Sequence, residues 1–171
     1  MTVFDDITKN QLREFLVKNH MAHDGAWFFY TCMELGIDKV NHLNKSAIKM
    51  LAEVEQKRLL QLMGWQDRKI TTFEDLKTLI NNAFSVVKGD FMDFEYSFPA
   101  KNIMRWVMHK CWAYEGMKKL GVEKDYQCGV LWRVMCWIKN TGVKFEMNPI
   151  VKTCLLNTQG KCEGEILFLF E

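Results

Sequence analysis

The fold class is decided within residues 72–98, which read TFEDLKTLINNAFSVVKGDFMDFEYSF. In the first part, apolar residues recur every three to four positions after a capping box at Thr72, which is typical of an amphipathic helix that ends at Gly89. Over residues 92–98 apolar and polar residues alternate, which is typical of a half-buried strand, and Pro99 is expected to end it. The switch from helix to strand indicates an α+β protein.

Three further helices are predicted in the N-terminal half, residues 1–89. Each begins with a residue that can cap a helix N-terminus, and the last two end at a glycine, which can adopt a left-handed conformation. Their predicted bounds are Thr8 to Asn19, Asp24 to Gly36 and Asp38 to Gly64. The third is expected to bury the apolar stripe Val40, Leu43, Ala47, Met50, Leu51, Val54 and Leu62.

The C-terminal half, residues 90–171, is expected to continue from its first strand into two helices and then three strands. The helices, at about 102–120 and 126–140, are apolar on nearly every side, which indicates burial on more than one side. Further strands are predicted at 143–147, 150–156 and 165–170. We therefore expect a single α+β domain over residues 1–171, with a helical N-terminal half and an antiparallel sheet of three to four strands that has the helices packed on one face.

Charge and hydropathy limit the classes of function. The chain has 23 basic and 21 acidic residues, a formal net charge of +2 and no dense basic run, so no nucleic-acid partner is expected. The first residues carry an acidic pair where a secretory signal would be basic, and no apolar run approaches the ~20 residues that span a bilayer. We expect a cytoplasmic protein that does not bind membranes.

The segment around His23, Asp24 and Trp27 is a dense cluster of polar and aromatic residues. A carboxylate beside an imidazole fixes its tautomer, so His23 and Asp24 can act as a pair that transfers protons or orients a ligand. The alternative is structural, because Asp24 is also placed to cap a helix and the histidine is then an ordinary surface residue.

The two helices predicted in the C-terminal half carry many aromatic and sulfur-containing residues, among them Met108, Trp112 and Trp132. Flat rings and polarisable thioethers suit the wall of a pocket for an apolar or conjugated ligand. A well-packed aromatic core has the same composition, so both interpretations stand at this stage.

Two cysteines are candidate nucleophiles. Cys111 and Glu115 are one helical turn apart, so the carboxylate can take a proton from the thiol. Cys128 is predicted just inside the next helix, where the helix dipole lowers a thiol pKa. The alternative is that both are inert, because free cysteine is among the most buried residue types.

All six cysteines are expected to be free thiols, since their spacings are wide and irregular. There is no CxxC or zinc-knuckle spacing, and no dinucleotide, Walker, serine-esterase or zincin motif. A metal site would have to combine groups from separate elements, for instance His23 or His109 with Cys111 and Cys128. The metal and any cofactor are therefore left unknown.

Several motifs resemble those of known families. HDGAWFF (residues 23–29), MELG, a helix ending in KRLLQLMG, and the final CLLNTQGKCEGEILFLF resemble an uncharacterised prokaryotic family with an N-terminal His-Asp-x-x-Trp-Phe box. The chain is also loosely similar to L-2-amino-thiazoline-4-carboxylate hydrolase-like proteins and to vinyl-reductase-type small-ligand domains. By this resemblance, the positions that characterise the family are occupied by His23, Asp24, Trp27, Cys111 and Cys128. The chain departs from the usual closing Cys-x-Trp/Phe-x-Phe at Ile166.

The leading functional prediction is a small-molecule-binding domain with a pocket between the His23/Asp24 segment and the two aromatic helices. The first alternative is a thiol-dependent hydrolase or ring-opening enzyme for a small cyclic substrate, with Cys111 or Cys128 as nucleophile and His23 or Glu115 moving protons. The second alternative is an interaction module that forms a homodimer through an exposed apolar helix face.

Overall fold

The computed structural model describes residues 2–170, and within that range it contains seven helices and one four-stranded sheet. The helices are α1 (Val3–Asp6), α2 (Lys9–Leu35), α3 (Ile37–Leu62), α4 (Phe73–Val87), α5 (Trp112–Leu120), α6 (Gly129–Asn140) and α7 (Leu155–Gln159). The strands are β1 (Phe94–Ala100), β2 (Ile103–Met108), β3 (Lys144–Asn148) and β4 (Cys162–Leu169). The predicted α+β fold, helical first and then built on a sheet, is confirmed.

The sheet is antiparallel throughout, in the order β1-β2-β4-β3, as expected for three to four antiparallel strands. In the two central strands Trp106 of β2 pairs with Gly164 of β4. A β-carbon at Gly164 would overlap the Trp106 ring, so the strands pair closely here only because that position is glycine. β1 continues through Pro99 to Ala100, which an edge strand allows because one side of it needs no N–H donors.

One face of the sheet is buried under helices and the other is exposed. On the exposed face Arg105 of β2 and Glu165 of β4 form an ion pair. On the buried face the central strands present Met104, Trp106, Ile166 and Phe168, which are between 1% and 5% exposed. They pack in one core with Leu76, Leu79, Ile80, Ala83 and Phe84 of α4 and with Val134, Trp137 and Ile138 of α6. Three of these core residues, Phe84, Val134 and Trp137, also line the cavity described below.

Helix α2 corrects the prediction of two helices divided between Asn19 and Asp24. The structure has one 27-residue helix, begun by the Thr8 capping box and ended at Gly36. No proline lies between the two predicted helices, and extending a helix is easier than nucleating a second one. Asp24 is therefore an interior helix residue and does not cap a helix.

Helix α3 has the predicted bounds to within two residues, but the predicted buried stripe is wrong in part. Leu43, Met50 and Leu62 are 39%, 69% and 82% exposed. The buried face instead includes three side-chain amides, those of Asn41, Asn44 and Gln56, together with Val40 and Ala52. A rule that places apolar residues inside cannot find a helix face that buries amides.

Two predictions in the C-terminal half are also wrong. Residues 103–108 are a strand and not the start of a helix, because β2 pairs with β1 on one side and with β4 on the other. Residues 150–156 are not a strand. After the Asn148-Pro149 bond, which is cis, the chain leaves the sheet and forms the short helix α7.

Candidate functional site

A cavity of about 450 Å³ lies between α2, α3, α5 and α6, beside the start of β1 and the end of β2. Its size is within the ~300–1,000 Å³ typical of small-molecule sites. Three glycines line it, Gly25 of α2, Gly116 of α5 and Gly129 of α6. A β-carbon at Gly25 or Gly116 would meet open space or ordinary contacts, whereas at Gly129 it would overlap Ile48. Much of the remaining wall is aromatic, formed by Phe28, Phe29, Phe84, Phe94, Trp112, Tyr126 and Trp137.

Four of the predicted site residues line this cavity: Asp24, Met108, Cys111 and Trp112. Asp24 does so because α2 is continuous. Residues one turn apart on a helix share a face, so His20, Asp24 and Phe28 all line the cavity. The structure thus brings the His-Asp segment and the region that starts α5 together around one hollow space.

The other predicted site residues do not line the cavity. His23 and Trp27 lie one turn apart on another face of α2, and both are exposed. Glu115 is exposed on α5, and its backbone N–H donates to the carbonyl oxygen of Cys111 at 3.1 Å. Trp132 lies on a different face of α6, where its Nε1 donates to the carbonyl oxygen of Lys45 at 3.0 Å.

Two asparagines one turn apart on α3 differ sharply in their bonding. Asn41 is 2% exposed, its Nδ2 donates to the carbonyl oxygen of Asp125 at 2.8 Å, and its Oδ1 accepts from the N–H of Gln127 at 3.0 Å. Asn44 is 5% exposed and lines the cavity. Within residues 2–170 its amide has no hydrogen-bond partner. Because Asn44 lines the cavity, its amide is a group that a ligand there can hydrogen-bond.

Two of the cationic groups on the cavity wall are already used within the protein. Lys88 donates to the carbonyl oxygen of Phe94 at 2.7 Å and lies over its ring. Arg133 forms a two-pronged ion pair with Glu55, which also accepts from Nε1 of Trp137 at 3.2 Å. These pairs fix the wall between α3 and α6, and a bidentate guanidinium pair holds its geometry well.

Four cysteines from separate elements are close together beside the cavity. Cys111, Cys128 and Cys154 are the N-cap residues of α5, α6 and α7, and Cys162 is the first residue of β4. Besides burial, the neighbouring sulfurs of the group contribute to raising the pKa of Cys111, Cys128 and Cys162. All six cysteines of the chain are free thiols, as predicted.

The helix dipole does not lower the pKa of Cys128 as we expected from the sequence. Burial raises it to about 12, although the thiol accepts from the N–H of Leu131 at 3.5 Å. Burial likewise raises the pKa of Cys111, with smaller contributions from Cys154 and Glu115, and it raises the pKa of Cys162 to about 11. Desolvation therefore outweighs the N-terminal dipole, and these sulfurs are protonated thiols at neutral pH.

Residues 2–170 contain neither a cluster of metal ligands nor a helix that could span a membrane. No three His, Cys, Asp or Glu side chains in that range are arranged to hold a metal ion, including the combination of His23 or His109 with the cysteines. In the same range, no helix has the length and apolar character that a membrane span requires.

Comparison with known proteins adds no relative. No family model matches the chain, no curated protein matches it, and no solved structure matches it. The resemblance to the family with the His-Asp-x-x-Trp-Phe box, to the thiazoline-carboxylate hydrolases and to vinyl-reductase-type domains stays a prediction.

The surface of α2 bears on the predicted homodimer. Phe15, Tyr30 and Met33 are 63%, 69% and 70% exposed, so this helix presents large apolar side chains to solvent. Such a surface is compatible with association, but nothing in the structure indicates what covers it. The homodimer therefore stays a prediction.

Several residues that define the site were not predicted from the sequence. Asn44 has a recognisable signal, because it lies four residues from both Val40 and Ile48 and so interrupts an apolar row on α3. Cys154 has a weaker one, since it precedes a short run that ends at glycine. The grouping of Cys154 and Cys162 with the other cysteines has no signal in their spacing, since it depends on how three helices and a strand meet.

Proposed function

We propose that this protein binds a small apolar molecule in the cavity between α2, α3, α5 and α6. The observation that carries the proposal is the Asn44 amide, which is buried, lines the cavity and has no partner among the described residues. Apolar walls with a few well-placed polar groups are the usual composition of small-molecule sites. The ligand is expected to place its apolar body against the aromatic rings and one hydrogen-bonding group at Asn44.

The state of the thiols supports binding over thiol catalysis. A nucleophilic cysteine needs a thiolate, and burial raises the pKa of both Cys111 and Cys128. The bases proposed for them, His23 and Glu115, are exposed and do not line the cavity. The thiol-dependent hydrolase thus has less support than the binding domain.

We further propose that the protein acts in the cytoplasm, which is a reducing compartment. Six free cysteines support it, because proteins of oxidising compartments commonly pair their cysteines. Electrospray mass measured under non-reducing conditions on protein taken directly from cells tests this. We expect the mass of the fully reduced chain, and disulfides or mixed disulfides at these sulfurs would contradict the cytoplasmic assignment.

The cavity itself can be tested by filling it. A β-carbon at Gly25 would lie 3.8 Å from the Trp112 ring, so Gly25→Phe directs a ring into the space. Ala26→Phe is the matched control, because Ala26 is the next residue of α2 and is exposed. We expect the neutral fluorophore N-phenylnaphthylamine to bind the parent and Ala26→Phe, and to lose at least about tenfold in affinity with Gly25→Phe, since ~1.4 kcal/mol corresponds to a factor of ten.

Two results would overturn the proposal. One is a parent protein that binds no fluorophore and carries no small molecule in native mass spectrometry. The other is equal fluorophore affinity in Gly25→Phe and Ala26→Phe with both variants folded by circular dichroism, which would place the probe outside the cavity.

A further inference from the structure

The cationic groups at the cavity mouth indicate the charge of the ligand. Lys110 precedes the N-cap of α5 and Lys119 lies in its last turn, and both line the cavity while remaining exposed to solvent. Across residues 2–170, neither ammonium group forms an ion pair or a hydrogen bond. Two cations at the rim of one apolar cavity are therefore free to meet a charged group of a ligand.

The other charges on the wall leave this excess of positive charge in place. Lys88 and Arg133 have partners within the protein, and of the described residues only Asp24 contributes a carboxylate to the cavity wall. An apolar cavity with a rim of one sign of charge concentrates ligands of the opposite sign, because low-dielectric walls focus the field. The rim thus favours an anion over a cation or a neutral molecule.

We infer that the ligand is an amphipathic anion, with an apolar body inside the cavity and a carboxylate that meets Lys110 or Lys119 at the rim. This inference rests on the proposed function and adds the class of ligand to it. The Asn44 side chain and the aromatic rings line the same cavity, so its amide can hydrogen-bond a hydroxyl or carbonyl group on the apolar part of the ligand. Monocarboxylates with an apolar chain or ring system and one such group satisfy both ends.

Three probes of equal length test the charge preference: decanoate, decanol and decylamine, each used to displace N-phenylnaphthylamine. We expect decanoate to bind at least about tenfold more tightly than decanol, which is the effect of one charge-assisted hydrogen bond. Decylamine is expected to bind no better than decanol. The decanoate preference should also fall with added salt, because the lysines are exposed.

A charge-matched pair of variants identifies the lysines. Lys110→Gln with Lys119→Gln removes the two rim cations, and we expect it to reduce the decanoate preference to less than about threefold while decanol affinity stays unchanged. Lys118→Gln with Lys124→Gln removes the same total charge from exposed positions that do not line the cavity. That control is expected to keep the preference, since only nearby charges act strongly in salt.

The outcomes separate the two proposals. If decanol displaces the fluorophore as well as decanoate does, or if decylamine is the tightest of the three, the protein binds apolar molecules but the anionic class is wrong. An equal loss of preference in both double variants would also overturn the role of Lys110 and Lys119. If the parent binds neither the fluorophore nor any of the probes, the proposed function fails and the ligand class fails with it.

Discussion

The core beneath the sheet and the space beneath α2 are built from the same kinds of side chain but are packed differently. Under the sheet, Met104, Ile166 and Phe168 are 2%, 1% and 1% exposed. Beneath α2, aromatic residues surround a cavity of about 450 Å³, and Phe29 and Trp112 on its wall remain 40% and 38% exposed. Aromatic composition therefore does not distinguish a core from a binding site, whereas the closeness of packing does.

The two asparagines of α3 show the difference within a single helix turn. Asn41 holds the chain at Asp125 and Gln127 before α6, so its amide is part of the structure. Asn44 has no partner in the described residues and is directed to the hollow region. The first is expected to stabilise the fold and the second to recognise a ligand, and the following predictions test that division.

The largest effect is expected from Phe168→Ala. Removing a fully buried ring typically lowers the free energy of unfolding by about 3–5 kcal/mol, because it leaves a void in a core that cannot close. The same substitution at Phe29, on the cavity wall, is expected to lower it by less than about 1.5 kcal/mol, since part of that ring is already in solvent. Urea unfolding of both variants measures this. Equal losses would mean that the two regions are packed alike.

The next effect concerns the asparagines. Asn41→Leu removes two part-buried hydrogen bonds and leaves the N–H of Gln127 and the carbonyl of Asp125 without these partners, so we expect a loss of about 1–3 kcal/mol. Asn44→Leu removes an amide that bonds nothing in the protein and is expected to leave stability unchanged or slightly raised. Urea denaturation midpoints compare the two. A loss at Asn44 as large as that at Asn41 would contradict the division of roles.

Stability is also expected to depend on pH through the buried thiols. In the unfolded chain a thiol loses its proton near its ordinary pKa, but burial raises the folded pKa of Cys128 to about 12 and of Cys162 to about 11. The stability that these two thiols contribute is thus complete below about pH 8.5, and it is lost as the pH rises toward their pKa values in the folded protein. Each such thiol lowers the free energy of unfolding by up to ~1.4 kcal/mol per pH unit in that range.

The pH effect is checked by urea unfolding between neutral and alkaline pH under reducing conditions. Cys128→Ala is expected to make the alkaline decline shallower than in the parent protein. A parent whose stability stays constant as the pH rises well past 9 would contradict the buried, protonated state of these sulfurs.

The smallest effect is expected at Gly25. Alanine is favoured over glycine inside a helix by about 0.5–1 kcal/mol, and a β-carbon at this position meets only ordinary contacts with Trp112. Gly25→Ala should therefore raise the free energy of unfolding slightly. At Gly164, by contrast, the added β-carbon overlaps Trp106, and Gly164→Ala should lower stability by about 1–3 kcal/mol. Thermal unfolding of both variants tests the contrast, and a change of stability in the same direction in both variants would contradict it.

Local patterns in the sequence were sufficient where an element is determined by its own residues. The Thr8 capping box was predicted correctly, because its reciprocal bonds involve residues three apart. Of the capping box predicted at Thr72 only one bond forms, in which the Thr72 hydroxyl accepts from the N–H of Asp75, while the Asp75 carboxylate pairs with Arg68. The alternation that predicts β1 is confirmed as well, because one face of the antiparallel sheet is buried and the other is exposed to solvent. The apolar helix predicted at 126–140 is confirmed as α6.

Local patterns failed where tertiary partners decide the structure. Residues 103–108 became a strand because β1 and β4 supply their hydrogen bonds. Asn44 was missed because a polar helix residue is ordinarily assigned to the surface. Asp24 and Cys111 were found from their chemistry, but whether they share a cavity depends on how α2 and α5 meet, and their own neighbours in sequence do not encode this.

The most direct test of the central claim measures whether Asn44 recognises a polar group inside the cavity. The dissociation constants of naphthol and methylnaphthalene, which differ in that one group, are compared in the parent, in Asn44→Leu and in Asn81→Leu, a control at an exposed position of α4. We predict that the parent and the control prefer naphthol by about fivefold to tenfold and that Asn44→Leu abolishes the preference. An unchanged preference in Asn44→Leu would contradict the account.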